Sequence, residues 1–479
     1  MSPDVEFRDL IDVGGLIARR ALTSVEVTEG LLARIQRIDG SLNAYARILG
    51  DSAIQQAKKA DREIAEGLYR GPLHGVPIAV KDLCWIEGIP TAAGTAIHKN
   101  FVPTHDATVV RKLKDAGAVL IGKTQLTEGA YSDYHPSIPP VRNPWNTDYW
   151  TGISSSGSAV AVAVGLCFGS IASDTGGSIR WPSAANGVTG LKPTWGRVSR
   201  YGTFDLAPSL DHIGPIARSV TDVAAILNVI AGHDSHDPTT SLHPVGDYIA
   251  DTIVDVRDKR IGIDRRWNSE DVDPEIQTAL TEACTVFSNL GVEVVELSFP
   301  DVRQIVADWT PNCAVEAAVA HQSTYPLHKE QYGPILSSVI ESGRGVSAME
   351  YQRILLRRAM FRGQVEALFS SVDAILTPPQ PFAPLTIGTI ATLGEQPELI
   401  AKLQRYTCPF DMSGHPTLTF PGGFSTDGMP IGLQLIAASF DEASLFNLGA
   451  AYQRVTDWHR RHPDFDGSRT ASHIQGLAR

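Results

Sequence analysis

Apolar positions along the chain recur at two spacings, and the switches between them predict the order of elements. From residue 5 to residue 65 they fall three and four apart. Within VEVTEGLLARIQRI, Val25, Leu31, Leu32 and Ile35 share one helical face, and Ser24 stands where an N-cap belongs. This stretch reads as helices throughout. At GPLHGVPIAVKDL the texture changes: Val76, Ile78, Ala79 and Val80 make a short apolar strand that ends on Lys81 and Asp82. Asp106 to Ala116 reads as a helix stopped by Gly117, and Ala118 to Ile121 as a strand. Strand, helix, strand in that order predicts α/β layering.

Further on, a helix over SVTDVAAIL has Ser219 and Asp222 spaced for a capping box. Residues 231–250 are polar and rich in Pro and Gly, a surface loop or a subdomain boundary. A strand (RIGI), a helix closed by Gly291 and a strand (VEVVEL) follow between Lys259 and Asp301. Residues 302–370 look helical, with Arg353, Arg357, Arg358 and Arg362 at helical spacing, which we assign to a solvated face. The last third returns to strands, VDAILTPP, HPTLTFPGGF and DGMPIGLQLIA, with Asp427-Gly428 as a hairpin turn, and closes with the helix DEASLFNLGAAYQRVTDWH. The expected architecture is α/β, one domain over residues 1–479: a large mixed, twisted β-sheet covered by helices on both faces. Its core spans about 65–230 and 371–460, and residues about 302–370 form a helical covering.

One stretch organises the rest. Thr151 to Pro182 holds two serine-rich, glycine-rich turns, Ser154-Ser155-Ser156-Gly157-Ser158 and Asp174-Thr175-Gly176-Gly177-Ser178, joined by the small apolar run AVAVAVGLCFG. Glycines let backbone N–H groups approach a ligand, and serines supply hydroxyls that attack or carry protons, a combination suited to acyl transfer. Flexible linkers would not be joined by a run that needs burial.

Charge narrows the ligand. Lys+Arg number 41 and Asp+Glu 53, a net charge of −12, which disfavours contact with phosphate backbones and hence nucleic acid as a direct ligand. The five cysteines (Cys84, Cys167, Cys284, Cys313, Cys408) are scattered, odd in number and without a C-x-x-C pair, so they read as buried small hydrophobes rather than disulfide or zinc ligands. The acidic start MSPDVEFRDLIDVG is unlike an export signal, which makes the cytoplasm the expected location. Ala159 to Gly169 falls short of the ~18 to 20 apolar residues that span a bilayer.

Gly117 to Thr124 (GAVLIGKT) fits the phosphate-loop pattern, but its middle residues are apolar and read as the strand itself, whereas a phosphate cradle is an exposed loop after a strand. We therefore reject nucleotide binding there. There is no G-x-S-x-G elbow and no H-E-x-x-H helix. The fourteen histidines fall mostly in polar loops (His233, His236, His243) or at chain turns (His74, His212) and read as ordinary surface or structural residues. What remains is Lys81 with the two serine turns. A lysine replaces histidine as a base only when neutral, and burial must bring its pKa down from ~10.4 for that. A pairing of Lys81 with Asp82 or another acid stays open at this point.

GPLHGVPIAVKDL, GAVLIGKTQLTE, the first serine turn, DTGGSIRWPSAANGVTGLKPTWGRVSRYG, SLDHIGPIARSVTD and HPTLTFPGGFSTDGMPIGLQLI together resemble the amidase signature family of Ser–cis-Ser–Lys amidohydrolases, over most of the chain. The resemblance implies a catalytic group of Lys81, Ser154 and Ser178, with Ser178 as nucleophile, Ser154 as proton carrier and Lys81 as base. It also implies a cis peptide bond before Ser154, oxyanion donors from the backbone of Thr175, Gly176, Gly177 and Ser178, a hydrogen bond from Ser155 to Lys81, bracing of the second turn by Asp174 and Arg180, and Tyr131 along the acyl pocket. No metal or cofactor is implied, and the expected partner is a small-molecule amide. No nucleic acid or membrane is expected, and a homodimer is compatible with this reading. Ile153 and Ser156 replace glycines common in the first turn, and Gln125, Gly129 and Trp181 also depart from frequent choices, which leaves the substrate open. Ile153 should be held by packing against the helix that follows. The alternative is the glutaminase subunit of a tRNA-dependent amidotransferase; a non-catalytic binding protein is disfavoured by the intact Lys81, Ser154 and Ser178.

Overall fold

A computed structural model describes residues 5–465. Residues 1–4, part of the start read against an export signal, lie outside that range. The described strands are β1 (Tyr45–Ile48), β2 (Pro77–Lys81), β3 (Val119–Thr124), β4 (Gly169–Asp174), β5 (Thr189–Lys192), β6 (His212–Ala217), β7 (Arg260–Ile263), β8 (Glu293–Glu296), β9 (Ala374–Thr377), β10 (Thr417–Phe424) and β11 (Pro430–Ala437). They form one mixed sheet in the order β1-β3-β2-β4-β6-β5-β10-β11-β9-β7-β8. The α/β layering holds, and the strand, helix, strand unit between Lys259 and Asp301 extends this sheet, since β7 pairs in parallel with both β8 and β9. Asp427-Gly428 turns the antiparallel β10–β11 hairpin, with Gly428 at φ 76°. Among the described residues no helix is long and apolar enough to cross a membrane, and all five cysteines are free and buried.

Several local expectations need correction. β1 lies inside the stretch read as wholly helical. It is an edge strand with only Tyr45 buried, so it carries no alternating pattern. Tyr45 lies over Gly122 of β3, where a Cβ would meet its ring at 2.6 Å. Thr23, not Ser24, caps the Ser24–Leu42 helix, in a reciprocal capping box with Glu26. Ser24 is buried and donates instead to Gly75 O at 2.6 Å. The buried stripe of that helix is Val27, Leu31, Ile35 and Ile38, while Val25 packs on Ala53, Ala57 and Val119. Ser219 does cap Asp222 N–H, but the Asp222 carboxylate accepts from Leu10 and Ile11 N–H, at 2.9 and 3.1 Å, so it satisfies the start of another helix and closes no box. Residues 231–247 are a loop tied to the body through Asp234, which accepts from Thr108 and Ser199 hydroxyls, and a short helix, Tyr248–Asp251, follows. The arginines of the Ala348–Leu368 helix are not one solvated face. Arg353 and Arg362 are exposed, but Arg357 forks onto Asp308, and Arg358 donates to Met412 O and Ser209 Oγ, fastening the covering helix to its neighbours.

Strands β3, β2 and β4, near one edge of the sheet, position the chemistry. β2 and β3 run parallel, β4 continues beyond β2, and the Ser156–Ala163 helix, buried at every residue, connects the two serine turns. β3 runs on through Gly122, Lys123 and Thr124, so the phosphate-loop match is a buried strand whose backbone faces neighbours on both sides.

Candidate active site

β2, flanked by β3 and β4, carries Lys81 into the interior and removes it from solvent. Successive residues of an extended chain point to opposite faces, so Asp82 turns away from Lys81. Asp82 pairs instead with Lys123 on β3, Nζ to Oδ1 at 2.8 Å, and accepts from Ala92 N–H at 3.0 Å. Lys81 Nζ has three hydroxyl neighbours: Ser154 Oγ at 2.7 Å, Ser155 Oγ at 2.8 Å and Ser173 Oγ at 2.8 Å. Burial pushes its pKa down to about 7, opposed only by the more weakly acting Asp174, Cys84 and Asp211. The pairing of Lys81 with an acid is thereby settled against.

The first turn holds Ser154 and Ser155, both buried, after a cis peptide bond between Ile153 and Ser154. Ser155 Oγ donates to Ser173 O at 3.0 Å, and Ser155 N–H to Ser178 O at 3.2 Å, which fastens the two turns together. Ser156 is hydrogen-bonded to the Tyr134 hydroxyl at 2.5 Å. Ile153 does not pack on the following helix; it joins an apolar cluster with Trp150, Trp181, Phe382 and Leu403.

The second turn is built around one carboxylate. Asp174, at the end of β4, accepts from Gly177 N–H at 2.7 Å and Ile179 N–H at 2.9 Å, and pairs with Arg180 through Nε at 3.0 Å and Nη2 at 2.8 Å. Arg180 also donates to Thr407 O at 2.8 Å and to Asp411 Oδ2 at 2.5 Å. Burial alone would raise the Asp174 carboxyl, but the Arg180 charge outweighs it and holds the group well below the usual carboxylate range; Asp411 is pushed up by burial. The bracing expected of Asp174 and Arg180 is therefore present. It also engages Gly177, whose N–H donates to Asp174 in this structure. The N–H groups of Thr175, Gly176 and Ser178 have no acceptor among the described residues.

Two indoles close on this turn. Trp309 Nε1 donates to Thr175 O at 2.8 Å, and a Cβ on Gly176 would overlap its ring. A Cβ on Gly177, at φ 134°, would meet Trp181 at 2.7 Å. Both glycines are thus required by close approach, and Gly177 by its backbone angle as well. Tyr131 stacks on Trp309, ring centroids 6.4 Å apart. The Ser178 hydroxyl has no partner among the described residues, and no hydrogen bond joins it to Ser154 Oγ, which is hydrogen-bonded to Lys81. Ser173, Trp309, Thr407 and Asp411 were not singled out in the sequence. Ser173 had a signal, as the residue before Asp174 on the same strand; the others come from distant segments. Among the described residues no group of three His, Cys, Asp or Glu is placed to hold a metal ion.

Comparison with known proteins places the chain in a family. The model of the family described as Amidase matches residues 26–446. The chain is 48% identical over 456 residues to the Mycobacterium bovis protein named "Putative amidase AmiD", covering 95% of each. It is 39% identical over 480 residues to a glutamyl-tRNA(Gln) amidotransferase subunit of Roseiflexus, covering 95% of this chain and 98% of that one. Among solved structures it is similar to native peptide amidase from Stenotrophomonas maltophilia, with TM-score 0.83, 30% identity and coverage of 97% and 99%.

Proposed function

The chain belongs to the amidase signature family, hydrolases of amide carbon–nitrogen bonds, and on that premise we propose that it cleaves a small carboxylic amide through an acyl-enzyme on Ser178. The observation that carries the assignment is the Lys81 amine among three hydroxyls with no acid beside it. Proton accounting gives it a direction. Ser155 spends its own proton on Ser173 O, so toward Lys81 it only accepts. A neutral amine has two N–H groups and one lone pair; with Ser155 and Ser173 accepting, the lone pair faces the Ser154 hydroxyl.

Ser178 Oγ attacks the carbonyl carbon while its proton passes to Ser154 Oγ and the Ser154 proton passes to Lys81 Nζ. This requires the free Ser178 hydroxyl to rotate toward Ser154 when substrate arrives, as catalytic hydrogen bonds often tighten only in the complex. The oxyanion is held by the free N–H groups at Thr175, Gly176 and Ser178, each donor contributing about 3 kcal/mol. Collapse breaks the C–N bond, and the departing nitrogen takes a proton from Ser154, which Lys81 replenishes. Water then attacks the acyl carbon, giving its proton through Ser154 to Lys81, and collapse returns that proton to Ser178 Oγ as the acid leaves. The glutaminase-subunit reading is not favoured: free glutamine carries two charges, while the wall beside Ser154 is Ile153, Trp150, Trp181 and Phe382.

Labelling with phenylmethylsulfonyl fluoride followed by peptide mass spectrometry tests the assignment. An adduct on Ser178, absent in Ser178→Ala together with hydrolysis, is expected; an adduct on Ser154 or Ser155 would reverse the roles.

A further inference from the structure

Lys81 and Ser154 are wholly buried and Ser178 keeps 7% of its surface exposed, so little of the nucleophile is open to an incoming amide. The segment after β9 is attached in a way that permits movement. At its start, Trp150 N–H donates to Leu385 O and Ile387 N–H to Asp148 O, both at 2.8 Å. At its end, Arg405 donates to Glu270 O at 2.6 Å and Trp267 O at 2.8 Å. Between these pins, every hydrogen bond of residues 388–401 among the described residues is made within the segment, by Thr386, Thr389, Thr392, Gln396 and the local backbone. What holds it down is apolar: Ile390, Leu393 and Leu399, half-buried, pack on the cluster of Trp150, Ile153, Trp181 and Phe382. Non-directional contacts of this kind separate without orphaning backbone groups.

We propose that residues 388–401 are a lid over the amine side of the active site, and that the wall beneath it seats an apolar substituent on the substrate nitrogen, so that anilides and bulky N-alkyl amides are preferred to primary amides. This rests on the assignment of Ser178 and Ser154 above. The departing nitrogen takes its proton from Ser154 and so lies beside that hydroxyl. Ile153 is the adjacent residue and Trp181 stands one helical turn beyond Ser178, so a substituent on the nitrogen runs onto their cluster. The acyl group falls on the other side of the turn, by Trp309 and Tyr131. The wall holds no charge, and the Trp181 indole N–H is buried without an acceptor among the described residues, one donor left for a substrate to satisfy.

The test uses the full-length enzyme. Wild-type kcat/KM for acetanilide should exceed that for acetamide at least tenfold, and Trp181→Ala should cut that ratio at least tenfold. Leu393→Ser, which loosens the underside of the lid, should speed phenylmethylsulfonyl fluoride labelling of Ser178 at least threefold and raise hydrogen exchange in 388–401 without raising it in β11. Leu399→Ser gives the same measurement should the first variant misfold. An unchanged labelling rate, or exchange in wild-type 388–401 as slow as in β11, overturns the lid; an unchanged substrate ratio in Trp181→Ala overturns the wall. Failure of the wild type to label at Ser178 is a separate outcome, which overturns the nucleophile assignment itself.

Discussion

Lys81 and Lys123 stand on adjacent parallel strands, both removed from solvent, and differ in what surrounds the amine. Lys123 meets the Asp82 carboxylate at 2.8 Å, which opposes the effect of burial on its pKa. Lys81 meets three hydroxyls and no carboxylate, and burial takes it to about 7. One amine is thus fixed as half of a buried ion pair, while the other gains and loses a proton near neutral pH. Lys192 shows that low pKa is not sufficient. Burial also pushes it down to about 7, but its neighbours are the carbonyls of His415 and Pro193, which accept and have no proton to give. A base needs a hydroxyl in reach as well as a depressed pKa.

The largest expected effect is on the unpaired side. Lys81→Ala should lower kcat/KM by about 10³ to 10⁴, at the upper end for one general base. The wild-type rate should rise with pH through about 7, because Lys81 acts only after losing its proton, and the variant should lack that rise. A variant with the same pH profile would remove Lys81 from the relay. On the paired side, Asp82→Asn leaves Lys123 buried without its partner and should cost about 3 to 5 kcal/mol of stability, measured by denaturant unfolding. Turnover per folded molecule should stay close to wild type, since Asp82 faces away from Lys81; a collapse in turnover at unchanged stability would mean that the two amines are one unit. The smallest effect sharpens the hydroxyl cage. Ser173→Ala should reduce kcat about tenfold, ~1.4 kcal/mol, with little change in KM. It should also move the acid limb below that of the wild type, because Ser173 accepts from the ammonium form and its loss favours the neutral amine. An unmoved limb would reduce Ser173 to packing.

What the sequence determined by itself is what residues a few positions apart decide. The strand ending on Lys81 and the two turns follow from local periodicity and composition, while the grip of Asp174 on Arg180 six residues later is implied by the resemblance. Motif resemblance added the roles within that frame. The tertiary structure alone decided which charges meet. Asp82 lies next to Lys81 in sequence yet belongs to Lys123, because strand alternation and the register of β2 on β3 place it there. The resemblance offered Gly177 as an oxyanion donor, and the fold directs its N–H to Asp174. Trp309 reaches the turn from the helical covering, and Ile153 packs under residues 388–401 rather than on its own helix. Such pairings are set by the neighbours that sheet order and helix packing bring together, and no spacing along the chain encodes them.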